Sequence, residues 1–326
     1  MDRNIKVFNK RNFYNDSDSG KVFLIALVLP ILLSLVFTMI ANLIAGLQEV
    51  ESQDIINSVW FTAIYSVVNG ICYIILYLVY NKINKIEYSA INLKFKMKWH
   101  TYLIMVGIGL LSLFGLQYFI ASVDNLLKLI GFPLESASTE SISNPMSVGV
   151  FILSIFTTAL IPAICEELLF RGIIFNGLRK RFNDISAIFL SALMFALMHQ
   201  NLQQLVYPFL LGSIMAWLVL RTGSLLSSMI VHFINNFLVL LFTFLQNTTS
   251  FSLSLPNKWW FYLVAILLLL VTGFIIYLID RFYFKHKSKE NVEKSSDKPS
   301  LYIYISIGVA VVLMLIITVY NFVSGT

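Results

Sequence analysis

The run VFLIALVLPILLSLVFTMIANLIAG, residues 22–46, decides the class of fold. It contains no Asp, Glu, Lys or Arg, and it exceeds the roughly 20 apolar residues that a helix needs to cross the hydrocarbon of a bilayer. It is also longer than the apolar region of a signal peptide and follows a 21-residue polar tail, so it reads as a retained anchor. Eight further apolar runs lie at about 55–80, 100–121, 146–166, 185–199, 204–220, 224–246, 258–280 and 301–322, of which 185–199 and 204–220 are short for a span. All are continuous rather than alternating at every second residue, which argues against a β-barrel. Hydrocarbon offers the backbone no hydrogen-bond partners, so each run is expected to be a helix.

Composition agrees. Of 326 residues, 58% are hydrophobic and only 12% charged, where an ordinary soluble domain is nearer half apolar and a quarter charged. The expected fold is an all-α polytopic membrane protein, a bundle of about eight to nine transmembrane helices embedded in lipid of the cell membrane. The net charge of +6 does not indicate a nucleic-acid partner, because the basic residues sit in short segments between apolar runs. These are the tail (Arg3, Lys6, Lys10, Arg11, Lys21), the 81–99 loop (Lys82, Lys85, Lys94, Lys96, Lys98), the 167–184 stretch (Arg171, Arg179, Lys180, Arg181), Arg221, and the 281–300 loop (Arg281, Lys285, Lys287, Lys289, Lys294, Lys298). Together they hold 21 of the 23 Lys and Arg on one side, while Lys128 and Lys258 fall opposite, beside Glu49, Glu51, Asp54, Asp124, Glu135 and Glu140. The excess of positive charge predicts a cytoplasmic N-terminus and an outer C-terminus. Cys72 and Cys165 lie inside apolar runs with no pairing motif and read as small buried hydrophobes. The polar, lysine-rich Lys285–Ser300 reads as a hinge separating the last helix from the rest, and Trp259 and Trp260 as an interfacial belt.

Ionisable side chains inside apolar spans are costly and by default mark function. Three clusters stand out between residues 162 and 236. The first is Cys165-Glu166-Glu167-Leu168-Leu169-Phe170-Arg171. Neighbouring helical residues point in different directions, and Glu167 and Arg171, spaced i,i+4, can pair on one face. That leaves Glu166 directed elsewhere and available for chemistry. The second cluster is Phe195-Ala196-Leu197-Met198-His199, and the third is His232-Phe233-Ile234-Asn235-Asn236, whose first and last residues share a helix face. Structural readings stand beside these: solvated charges at a membrane surface, an interfacial histidine, and an interhelical hydrogen bond that only holds a bundle together. A depth argument favours convergence. Glu166 lies 15 residues before Arg181 and His199 lies 15 residues after Asp184, so in an antiparallel pair both stand about 22 Å above the intervening turn. His232, about nine residues beyond Gly223, is expected roughly 14 Å in, and helix tilt of ~20° closes part of the offset.

In this order and spacing, Glu166-Glu167-x-x-x-Arg171, Phe195-x-x-x-His199 and His232-x-x-x-Asn236 resemble the three motifs of the CPBP family of intramembrane peptidases, which includes type II CAAX prenyl endopeptidases and bacterial proteins tied to bacteriocin processing or immunity. Arg221-Thr222-Gly223-Ser224-Leu225 resembles the family's approach to its third motif. The resemblance covers residues 146–246. It divides the chain into a tail (1–21), N-terminal helices (22–145), a catalytic core (146–246) and C-terminal helices (247–326). It implies an endopeptidase acting on a membrane-associated peptide or precursor protein, with Glu166 and His199 activating water, His232 and Asn236 stabilising the oxyanion or holding a metal, and Glu167, Arg171 and Phe195 in support. Ser191 and Cys165 are then not needed as nucleophiles. Zinc held by Glu166, His199 and His232 with water in the fourth position is one form of such a site; no His-Glu-x-x-His motif demands it. The other readings are a non-catalytic immunity or scaffold protein, and an ion-coupled transporter, against which the lack of paired interrupted helices in two halves counts. Loops rich in Lys, Asn and Ile suggest a bacterial setting and a bacteriocin or signalling-peptide precursor as substrate.

Overall fold

The computed structural model describes residue 11 and residues 13–87, 97–129, 146–202, 205–249, 259–284, 294–296 and 298–324. Lys94, Lys96, Lys258, Glu135, Glu140 and most of Lys285–Ser300 lie outside them. The chain is an all-α polytopic membrane protein, and among the described residues seven helices are long and apolar enough to cross a bilayer and two further apolar ones are shorter. In chain order they are α1 (Asp16–Gln48), the short α2 (Ser52–Ile56), α3 (Val59–Ile83) and α4 (Trp99–Leu129). A continuous helix, Val148–Arg179, follows. It comprises α5 (Val148–Ser154), α6 (Ile161–Glu167) and α7 (Phe175–Arg179), joined by π-helical stretches at Ile155–Leu160 and Leu168–Ile174. Next come α8 (Asp184–Met198), α9 (Val206–Thr222), α10 (Leu225–Thr248), α11 (Trp259–Leu278) with a π-helical end Ile279–Phe284, and α12 (Leu301–Ser324).

Local chemistry sets the ends. Asn15 caps α1 by accepting from the Asp18 amide at 2.9 Å, and Asp18 returns the bond to Asn15. Asn183 caps α8 through the Ser186 amide. Gly223, at φ 62, ends α9 in the left-handed conformation that glycine adopts without steric cost. The helix Val148–Arg179 forms the spine. The segment α6 touches α3 on one side and α10 on the other, α7 packs on α8, and α8 pairs with α9. Outside this group α11 covers α4, and α12 lies along α1 and α8.

One expectation is corrected here. The fourth span does not stop at residue 166: the helix runs unbroken to Arg179, and Arg171 is wholly buried rather than a loop cation. A buried cation is tolerated because it has an internal partner, described below, and it carries no orientation signal. Most of the expected hinge, Lys285–Ser300, lies outside the described residues; beyond it comes the last helix. It packs along α1, and its approach is tied down by Lys294 to the Phe182 carbonyl (2.8 Å), Arg181 to the Ser295 carbonyl (2.8 Å), and the Ser300 amide to Asp16 (2.7 Å). These ties lie on the face that also holds the Arg11–Asp18 pair and the Arg11 contact with the 85–87 segment, so the basic ends gather together.

Between helices in lipid there is no hydrophobic driving force, and close packing at small residues does the work. Gly70 is where α3 meets α6: a Cβ there would stand 2.3 Å from Ile161 Cγ2 and 3.4 Å from Cys165 Sγ. Gly70→Ala is therefore expected to lower stability by about 1–3 kcal/mol through overpacking. Ile161→Ala in the same chain should return most of it. Thermal unfolding in detergent measures both, and an unchanged midpoint in Gly70→Ala would show that the two helices do not touch there.

Candidate active site

The sequence of the spine explains where the site lies. Pro162 has no N–H to offer the Thr158 carbonyl four residues earlier, and the stretch just before it is π-helical. Wide turns of this kind recur at functional sites. The freed carbonyl is taken by Asn236, whose Nδ2 donates to it at 3.3 Å from α10. One turn beyond Pro162, α6 delivers Glu166 and Glu167 in different directions.

Glu167 points inward and is completely buried. Its Oε1 accepts from Arg171 at 2.7 Å and from His232 Nδ1 at 3.0 Å. Arg171, equally buried, also donates to the Gly212 carbonyl on α9 at 3.1 Å. Gly212 permits that approach, since a Cβ there would stand 3.1 Å from the guanidinium. Phe195 of α8 is the packing hub. The Arg171 guanidinium lies 4.5 Å from its ring centroid, a favourable cation–π arrangement, and the imidazoles of His199 and His232 meet the same ring edge-on at 5.1 and 5.8 Å.

Glu166 is partly exposed, its side chain retaining 16% of its accessible surface, and its Oε2 lies 3.9 Å from His232 Nε2. That gap is longer than a hydrogen bond and short enough for one solvent molecule to bond both ends. His199 follows the last turn of α8 and is exposed. Its Nδ1 lies 2.9 Å from the Phe195 carbonyl. A carbonyl only accepts, so Nδ1 carries the proton and Nε2 keeps its lone pair. The same holds for His232, whose Nδ1 faces a carboxylate. Both imidazoles are thus held in one tautomer by a partner on the far ring nitrogen, the usual way a histidine is prepared as base or ligand. The site grades from exposed (His199) through half-wet (Glu166) to dry (His232, Glu167, Arg171).

Glu166, Glu167, Arg171, Phe195 and His232 form one contact network, Asn236 flanks it through Thr158, and His199 joins it through Phe195. The pairing Glu167–Arg171, expected from the i,i+4 spacing, is present. Among the described residues no three His, Cys, Asp or Glu side chains gather closely enough to hold an ion. Glu166, His199 and His232, the residues considered as zinc ligands, are not such a group. The linear reading missed the bond from Glu167 to His232 and the buried Asn235, which accepts from the Tyr207 hydroxyl of α9 and donates to Asn236 at 3.4 Å. The signals were adjacent in the text: an Asn beside an Asn, and a proline four residues after a threonine.

Removing one member of a buried ion pair strands the other, at a cost of about 3–5 kcal/mol. Arg171→Ala is therefore expected to abolish accumulation of folded protein. Arg171→Lys keeps the charge but not the fork that spans Glu167 and Gly212, and should fold with a clearly lowered thermal midpoint. A wild-type midpoint in either variant, by thermal shift in detergent, contradicts this account.

No curated protein and no solved structure matches the chain. Residues 148–238, which hold every side chain of the three motifs, match the family model described as type II CAAX prenyl endopeptidase Rce1-like. This part of the chain is similar to that protease family.

Proposed function

We propose that the protein is an intramembrane endopeptidase that hydrolyses a peptide bond in a membrane-associated peptide or precursor, with Glu166 as general base. One observation carries the reading: a half-wet carboxylate faces a tautomer-locked imidazole across a gap that suits one water, within an Rce1-like domain. Glu166 removes a proton from that water as the oxygen attacks the substrate carbonyl, while the exposed His199 Nε2 accepts from the same water and orients it. Glu167 stands behind His232 as the carboxylate stands behind the histidine of a hydrolase triad. It supports the imidazolium that forms when Glu166 passes that proton on to His232 Nε2, whose N–H then donates to the oxyanion. The second Nδ2 hydrogen of Asn236 is the other donor on that face. In a site with little water, donors fixed beforehand are worth more than in bulk solvent. The proton finally goes back through Glu166 to the leaving amine. None of these steps requires a metal. The family description makes a prenylated peptide one candidate substrate. A bacteriocin or signalling-peptide precursor is the other, and it fits the bacterial character of the loops.

The test uses the purified full-length chain in proteoliposomes with two quenched-fluorescent probes, a farnesylated peptide with three residues beyond the modified cysteine and an unprenylated single-span peptide. Cleavage of at least one probe is expected, falling by about 10²–10⁴-fold in Glu166→Gln and in His199→Ala, the range a general acid–base contributes, with normal protein abundance. Full activity in both variants would end the reading and leave an immunity or scaffold role. A strong zinc chelator is expected to leave turnover intact, and loss restored by zinc alone would replace the mechanism with a metal-dependent one.

The gathering of basic ends on one face also supports a cytoplasmic N-terminus. A cysteine at Lys180 should resist a membrane-impermeant maleimide added to intact cells. Ready labelling there would invert the topology.

A further inference from the structure

Helix α1 and helix α3 lie outside the matched domain, yet both reach its site. Within α1, Pro30 withholds the amide that the Ala26 carbonyl needs. In a membrane such a freed carbonyl must find another donor, and the donor comes from α3: the Tyr73 hydroxyl lies 3.4 Å from the Ala26 oxygen. The Tyr65 hydroxyl, two turns earlier on the same face, lies 3.4 Å from the Pro30 carbonyl. The next carbonyl of α1, that of Leu27, receives Gln200 Nε2 at 3.4 Å. Gln200 directly follows His199 and holds a left-handed backbone, φ 51, which is unusual for a residue with a side chain.

Tyr73 touches the same segment from the other side. Its hydroxyl is 3.5 Å from Met198 Sδ, the residue before His199, and it is buried, with 2% exposure. It follows Gly70 by three residues, so it extends the face of α3 that packs on Ile161 and Cys165, and it lies within electrostatic reach of Glu166. Residues on both sides of His199 are thus tied to the break in α1, one by Tyr73 and one by Gln200, while the α3 face carrying Tyr73 bears on the turn that delivers Glu166.

We propose that Tyr73 is a positioning residue: with Gln200 it forms a bracket on the Pro30 break that holds the end of α8, and so His199, in register with Glu166. The bracket rests on the peptidase reading and extends the working site beyond residues 148–238. Tyr73 acts through His199 and need not contact substrate. A tie that only joined α1 to α3 would alter stability and leave turnover per folded molecule alone.

The test is Tyr73→Phe, Gln200→Ala and Pro30→Ala, the last of which supplies Ala26 with an ordinary helix donor and makes Tyr73 redundant. In the proteoliposome assay each is expected to lower kcat by about tenfold to a hundredfold, as small misplacements of a reacting group do, with KM within about twofold. Tyr73→Phe combined with Pro30→Ala should be no worse than the poorer single variant, because both remove one interaction. An activity-independent measurement accompanies this: the rate of diethylpyrocarbonate modification of His199 relative to His100, read by mass spectrometry in a Glu166→Gln background. That ratio is expected to rise several-fold in Tyr73→Phe. Unchanged kcat and unchanged His199 reactivity, with Glu166→Gln inactive, overturn the bracket and leave the peptidase reading standing; so does a change confined to thermal stability. Turnover by Glu166→Gln removes the peptidase reading instead, and His199 reactivity alone then decides the bracket.

Discussion

A carboxylate and a guanidinium with no access to solvent, Glu167 and Arg171, are the constraint around which the rest is arranged. Such a pair is a poor source of stability, because the cost of removing two ions from water offsets most of their attraction. What it provides is geometry. Arg171 has to find more acceptors than one carboxylate offers, and it takes the Gly212 carbonyl on α9 and the face of Phe195 on α8. Glu167 has capacity left and takes His232 from α10. Four segments are thereby held to a common depth by groups that have no alternative partner in lipid.

The same logic explains the prolines. Pro30 and Pro162 each interrupt a transmembrane helix, and each leaves a carbonyl that hydrocarbon cannot satisfy. Side chains from other helices supply the missing donors, Tyr73 to Ala26 and Asn236 to Thr158. A local defect in one helix becomes a specific attachment point for another. One attachment point borders the end of α8 that carries His199, and the other the turn of the spine that precedes Glu166. Helix α8 is short as well: at 15 residues it spans only about 22 Å, and His199 stands at its end.

Much of this was legible in the linear text. Continuous apolar runs gave the nine apolar helices seen among the described residues, because period and length are enough when the solvent is hydrocarbon. The i,i+4 spacing gave the Glu167–Arg171 pair, and the residue count that sets Glu166 beside His199 finds the two linked through His232 and Phe195. The estimate for His232 was weaker, since an offset counted along an ideal straight helix takes no account of tilt or of the π-helical stretches beside Glu166 and Arg171. Arg171 was also counted among loop cations, because charge in a linear reading is taken as exposed until a partner is known.

The sequence alone determined which segments are helical, which residues are too polar for lipid, and that two glutamates in succession must part ways. Those properties depend on composition and on the 3.6-residue turn, which are local. Only the tertiary structure decided which glutamate holds His232, which carbonyls the prolines release and to whom, and that α1 and α3 reach the site from outside the matched domain. Those outcomes depend on which buried donors and acceptors remain after each helix has satisfied its own backbone. That remainder is shared out between helices far apart in the chain.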